Sequence, residues 1–194
     1  PAWLGCAFPT GSRTRPASSI RSARATITWV PPGCRTIRAE ASSIARLLRP
    51  QSIAVIGANR EPGSIGHAVF RNLIDGEFTG PVYPVNPKAG SVAGVKAYPS
   101  VREIPDPVDL AIVATPAETV LDVVEECGQV GVGALVVISS GFAEVEGGRA
   151  REREMVNLAR RNGMRVVGPN CMGVLNTAPQ VQMNASFTPY RPRP

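Results

Sequence analysis

The sequence predicts an α/β chain, a Rossmann-like, doubly wound and mainly parallel sheet with helices on both faces, and three observations carry that prediction. Strand-length runs such as "SIAVIG", "DLAIVAT" and "ALVVIS" are apolar at successive positions, with no solvent-facing alternation. Amphipathic segments of helical spacing separate them. The first run breaks into a glycine-rich turn that opens a helix, "VIGANREPGSIGHAVFRNLI" (55–74). Strands apolar on both faces need cover on both sides, which alternating helices supply through βαβ units.

Taken in order, "ASSIARLLRP" sets Ile44, Leu47 and Leu48 at helical spacing behind two capping serines, and Pro50 stops that helix. Strands are expected at 52–57, 81–86, 109–115, 134–139 and 164–168. Helices are expected near 66–74, 117–127 and 148–162. The domain so defined runs from 41 to 189, with 190–194 as a tail. Residues 1–40, rich in Arg, Ser, Pro and Thr and without a sustained period, read as a basic, disordered leader or linker remnant. A first residue that is Pro rather than Met leans toward a fragment.

Charge follows the same division. The net charge is +6, yet residues 1–50 hold eight arginines and a single acid, Glu40, while the rest carries 13 basic and 14 acidic side chains. The basic balance therefore says nothing about a nucleic-acid face on the folded part, and no specific nucleic-acid partner is expected. No apolar run approaches the roughly 18 to 20 residues of a membrane helix, and the first residues lack a charged segment followed by an apolar one, so a cytoplasmic protein without membrane contact is expected. Cys6, Cys34, Cys127 and Cys171 are scattered and form no CxxC or Cys/His cluster. Neither a disulfide framework nor a metal site is suggested.

In doubly wound sheets ligands bind beyond the carboxyl ends of the strands, so the loops after each strand are the candidate site. In the first, Gly57, Gly63 and Gly66 permit close backbone approach, and the helix opening near Gly66 offers free amides to a phosphate. The spacing is not GxGxxG, and no Lys-Ser/Thr pair follows as in a Walker A loop. The second, "VNPKAG", places Asn86, Pro87 and Lys88 where an NAD domain carries a ribose-binding acid. A lysine there attracts a phosphate that a carboxylate would repel, which points to coenzyme A or NADP. "ATPAET" and "ISSGFAE" contribute Thr115, Pro116, Ser139 and Ser140. "VVGPNCMGVLNT" brings Cys171 beside Gly173 at the same sheet end, and without a nearby base a packed thiol is the favoured reading over a nucleophile.

Together, "LLRPQSIAVIGANREPGSIGHAVFRNLI", "GPVYPVNPKAGSVAGVKAYPSVREIPDPVDLAIVATPAETV", "VVISSGFAE" and "GMRVVGPNCMGVLNT" resemble the CoA-binding domain of the NDP-forming acyl-CoA synthetases, the ADP-forming acetate–CoA ligase and succinyl-CoA synthetase alpha-subunit type. The resemblance implies coenzyme A as the ligand. It sets the backbone of Gly57, Ala58, Asn59, Gly63, Ser64, Ile65 and Gly66 near the CoA phosphates and Lys88 against a phosphate of the nucleotide portion. Thr115, Pro116, Ser139 and Ser140 would border the ligand, and Asn170, Cys171 and Gly173 would lie toward the thiol end.

It further implies partner domains or a subunit carrying a phosphohistidine and an ATP-grasp nucleotide site, which these residues do not match. The single histidine, His67, does not match the phosphorylated residue and reads as a capping or surface side chain. With no catalytic residue assigned, the isolated chain is expected to bind CoA or acyl-CoA without turnover. A stand-alone regulatory CoA-binding protein is the alternative. An NADP-dependent oxidoreductase is a weaker one, since Tyr83, Tyr98 and Tyr190 show no YxxxK spacing.

Overall fold

A computed structural model describes residues 41–188. The expectations for 1–40 and for the tail 190–194 lie outside the described residues. A helix, α1 (41–48), precedes β1 (Ile53–Ile56), α2 (Ile65–Asp75) and β2 (Val82–Val85). A small hairpin, β3 (Ser91–Val92) with β4 (Val95–Lys96), and a 3-10 turn at Val101–Glu103 lead to β5 (Leu110–Val113). Then come α3 (Ala117–Gln129), β6 (Ala134–Val137), α4 (Gly148–Arg161), β7 (Arg165–Val167) and a second hairpin, β8 (Gly173–Asn176) with β9 (Met183–Ser186).

Five strands form one parallel sheet in the order β2-β1-β5-β6-β7, so the Rossmann-like expectation holds. Its three inner strands are short and sealed on both faces: all residues of β1, β5 and β6 are buried. Alternate residues serve opposite faces. Ile53, Val55, Leu110 and Ile112 pack with Val69, Phe70 and Leu73 of α2 and with Met183 and Ala185 of β9. Ala54, Ile56, Ala111 and Val113 pack with Val120 and Val124 of α3 and Met155 and Ala159 of α4. The period-two pleat therefore splits the core into two layers.

Pro84 interrupts an otherwise apolar strand, which restricts β2 to a sheet edge. β2 is at the edge, and Pro84 turns its carbonyl outward to accept from the Tyr98 amide at 2.9 Å. The missing N–H falls on that outer side and removes no bond to β1.

β2 lies on one side of β1 and β5 on the other, with α2 covering one face and α3 the opposite one. The connections thus diverge at the carboxyl ends of β1 and β5. This is the topological switch point, where a doubly wound sheet opens a crevice.

Candidate nucleotide-binding site

The loop after β1 is built from backbone contacts that only glycine allows. Gly57 has φ +93°, and a Cβ on it would strike the Ala114 carbonyl at the end of β5. Gly66, in the first turn of α2, meets the Gly57 carbonyl in the same way. The helix start is therefore pressed onto the strand end. Ser64 caps α2, its hydroxyl accepting from the His67 amide at 3.4 Å. Asn59 organises the turn: its Oδ1 accepts from the Glu61 amide at 2.9 Å and the Ser64 hydroxyl at 2.7 Å. Its carbonyl lies 3.0 Å from His67 Nδ1, which ties the single histidine to the loop. Arg60 reaches across to β3, donating to the Ser91 carbonyl at 2.9 Å and its hydroxyl at 3.0 Å.

The loop after β2 is joined to the first one. Asn86 Nδ2 donates to the Ala58 carbonyl at 2.7 Å, and Asn86 Oδ1 accepts from the Lys88 amide at 2.8 Å. Asn86 is thus spent on the scaffold, while Lys88 stays exposed and has no ion pair among the described residues. Between these loops and α3 lies a cleft of about 420 Å³. Gly57, Asn86, Pro87, Lys88, Thr115 and Pro116 line it, all six of them candidates from the sequence. Thr115 Oγ1 is buried with no hydrogen-bond partner among the described residues, an orphaned polar atom of the kind a ligand satisfies.

The remaining candidates sit on neighbouring loops at the same sheet end. Ser139, buried, donates to the Thr115 carbonyl at 2.6 Å, and its own carbonyl accepts from the Asn170 amide at 3.0 Å. It locks three loops together, while Ser140 and Asn170 remain exposed. Glu144 fastens the turn after β6. Its carboxyl is held below the usual carboxylate range by backbone amides, its own first and then that of Gly141. The Cys171 thiol donates to the Val137 carbonyl at 3.3 Å, and burial pushes its pKa up despite opposing amides of Gly173 and Cys171 itself. A protonated, hydrogen-bonded thiol is a poor nucleophile. Among the described residues, no group of three or more His, Cys, Asp or Glu side chains could hold a metal ion.

Residues 51–177 match the protein family described as CoA binding domain. The chain belongs to that family. This CoA-binding domain is 47% identical over 152 residues to the acetate–CoA ligase [ADP-forming] I subunit alpha of Pyrococcus furiosus, an alignment covering 76% of the chain and 32% of that protein. It is 40% identical over 148 residues to 4-hydroxybutyrate–CoA ligase [ADP-forming] of Nitrosopumilus maritimus, covering 76% of the chain and 21% of that protein. Its fold superposes with TM-score 0.71 and 45% identity on the dinucleotide-forming acetyl-coenzyme A synthetase 1 of Ca. Korarchaeum cryptofilum, over 76% of this chain and 31% of that one. The domain therefore spans about a third or less of the length of these relatives.

The cleft residues that escaped the sequence reading include Ser100, Thr119, Val123 and Glu126. The last three lie at i, i+4 and i+7 on α3, a spacing that marks one helix face. That signal was present in the sequence, but periodicity alone cannot say whether a half-polar face meets solvent or a ligand.

Proposed function

We propose that this CoA-binding domain is the CoA-holding part of an ADP-forming acyl-CoA synthetase, working with phosphohistidine and ATP-grasp domains or a subunit of the same enzyme. The reaction is acyl-CoA + ADP + phosphate ⇌ carboxylate + CoA + ATP, and CoA supplies its thiol to it. The observation that carries the reading is Lys88, exposed and unpaired among the described residues on the rim of the switch-point cleft, where an NAD domain carries an acid. The residues suit an extended nucleotide. Amides between Ala58 and Gly66 that are not spent within the turn, together with the start of α2, take phosphate oxygens, Lys88 takes a further phosphate by charge, and Thr115 Oγ1 has capacity for one more bond. Asn170, Cys171 and Gly173 border the path toward the thiol end, where Cys171 acts by packing. His67, bound to the Asn59 carbonyl, is not placed to carry a phosphoryl group between domains. Relatives named for acetate and for 4-hydroxybutyrate share the CoA half of their substrates, which is the half this domain concerns.

Calorimetry on the full chain tests the reading. CoA is expected to bind more tightly than dephospho-CoA, and both more tightly than NAD. Lys88→Glu is expected to weaken CoA by roughly 1–3 kcal/mol through a lost charge-assisted contact and a gained repulsion. Equal affinity for CoA and dephospho-CoA would remove the role given to Lys88.

A further inference from the structure

The cleft has two chemically distinct sides. Its apolar surface comes from Ile56, Val85, Val101 and Val123 with the rings of Pro87 and Pro116, and its volume falls at the size of small-ligand pockets. Against this apolar lining stands one acidic group, Glu126 of α3. Glu126 Oε2 accepts the Ser100 hydroxyl proton at 2.8 Å, and the Ser100 oxygen accepts from the Arg102 amide at 3.1 Å. Glu126 Oε1 lies 3.9 Å from Arg102 Nη2, beyond hydrogen-bond reach, and the side chain keeps 33% of its exposure.

The serine proton is thus committed, and what this wall offers a ligand is acceptor capacity without a free donor. A carboxylate is a poor neighbour for phosphates and a good one for an N–H donor. Of the groups in a CoA molecule, the phosphates and carbonyls are acceptors, the pantetheine amides and the hydroxyls carry both functions, and the adenine 6-amino group is an N–H donor on a flat apolar ring. The lining and the acid match that last group together.

We propose that Glu126, held in place by Ser100, reads the 6-amino edge of the purine and selects adenine over 6-oxo purines; this rests on the CoA reading above. A 6-oxo purine would set a carbonyl against the carboxylate, an unpaired and repulsive contact.

Competitive binding of adenosine 3′,5′-bisphosphate and inosine 3′,5′-bisphosphate to the full chain tests it. The adenosine ligand is expected to bind about tenfold more tightly, the discrimination of one lost hydrogen bond. Glu126→Gln, which offers both a donor and an acceptor, is expected to bring the ratio of the two affinities close to one. Ser100→Ala, which frees the carboxylate to swing, is expected to narrow the ratio several-fold by weakening the adenosine ligand alone. Equal binding of the two ligands by the parent chain overturns the adenine assignment and leaves CoA binding standing. So does an unchanged ratio in a Glu126→Gln protein that melts like the parent. Failure of the parent chain to bind CoA overturns both this assignment and the reading on which it rests.

Discussion

Gly66 shows how one residue sets the geometry of the site. It lies inside a helix, where alanine is the better former by about 1 kcal/mol. That gain is outweighed, because the added methyl would meet the Gly57 carbonyl, a backbone atom that cannot rotate away. Gly66→Ala is expected to lower stability by about 1–3 kcal/mol, the range for overpacking a close contact, as measured by urea unfolding. A neutral or stabilising result would mean that α2 can back away from β1. The glycines of this turn were legible in the sequence because a glycine in a strand-to-helix turn has few other reasons to be there. The fate of individual polar atoms was not: Asn59, Asn86 and Ser139 belong to the candidate set by position, yet Asn59 spends its side-chain hydrogen bonds inside its own turn and Asn86 and Ser139 spend theirs holding loop to loop. They shape the crevice whether or not they touch its contents.

At the scale of elements, α3 has two working faces. Val120, Val124 and Cys127 enter the core, and Thr119, Val123 and Glu126 turn to the cleft, so one helix both seals the sheet and walls the site. The first face was evident from apolar spacing. The β8–β9 hairpin was not anticipated, for the opposite reason. All four residues of β9, Met-Asn-Ala-Ser, are buried although two are polar. Their burial is tolerated because Ser186 Oγ donates to Asn184 Oδ1 at 2.7 Å and the strand packs along α2. Asn72 of α2 closes this contact, its Nδ2 donating to the carbonyls of Ser186 at 2.8 Å and Thr188 at 2.9 Å. Asn72→Ala removes one hydrogen bond from each carbonyl and is expected to cost about 1–3 kcal/mol in urea unfolding. An effect within experimental error would show that solvent satisfies them.

For the molecule as a whole, alkaline pH is the sensitive direction. Cys127 is buried between α3 and the sheet, and burial first, then the nearby Glu126 charge, pushes its pKa from 9.0 up to about 12. Tyr83 is pushed from 10.0 to about 12 by burial and then by its hydrogen bond to Asp106. Both groups hold their protons more tightly when folded than unfolded. Their contribution is therefore complete below about pH 9 and is lost as pH rises toward 12. The melting temperature is expected to fall progressively over that window, and Cys127→Ala to make the fall shallower; an identical slope in the variant would assign the loss elsewhere. By itself the sequence determined the two-sided apolar strands, their order along the chain, the glycine turn and the lysine that replaces an acid, because each is a local pattern that periodicity or backbone sterics can dictate. Only the tertiary structure decided that Glu126 and Ser100 share a wall, that Ser139 is consumed by Thr115 and that polar β9 lies buried on α2. Those outcomes depend on hydrogen bonds and packing between residues distant in sequence, which no local pattern encodes.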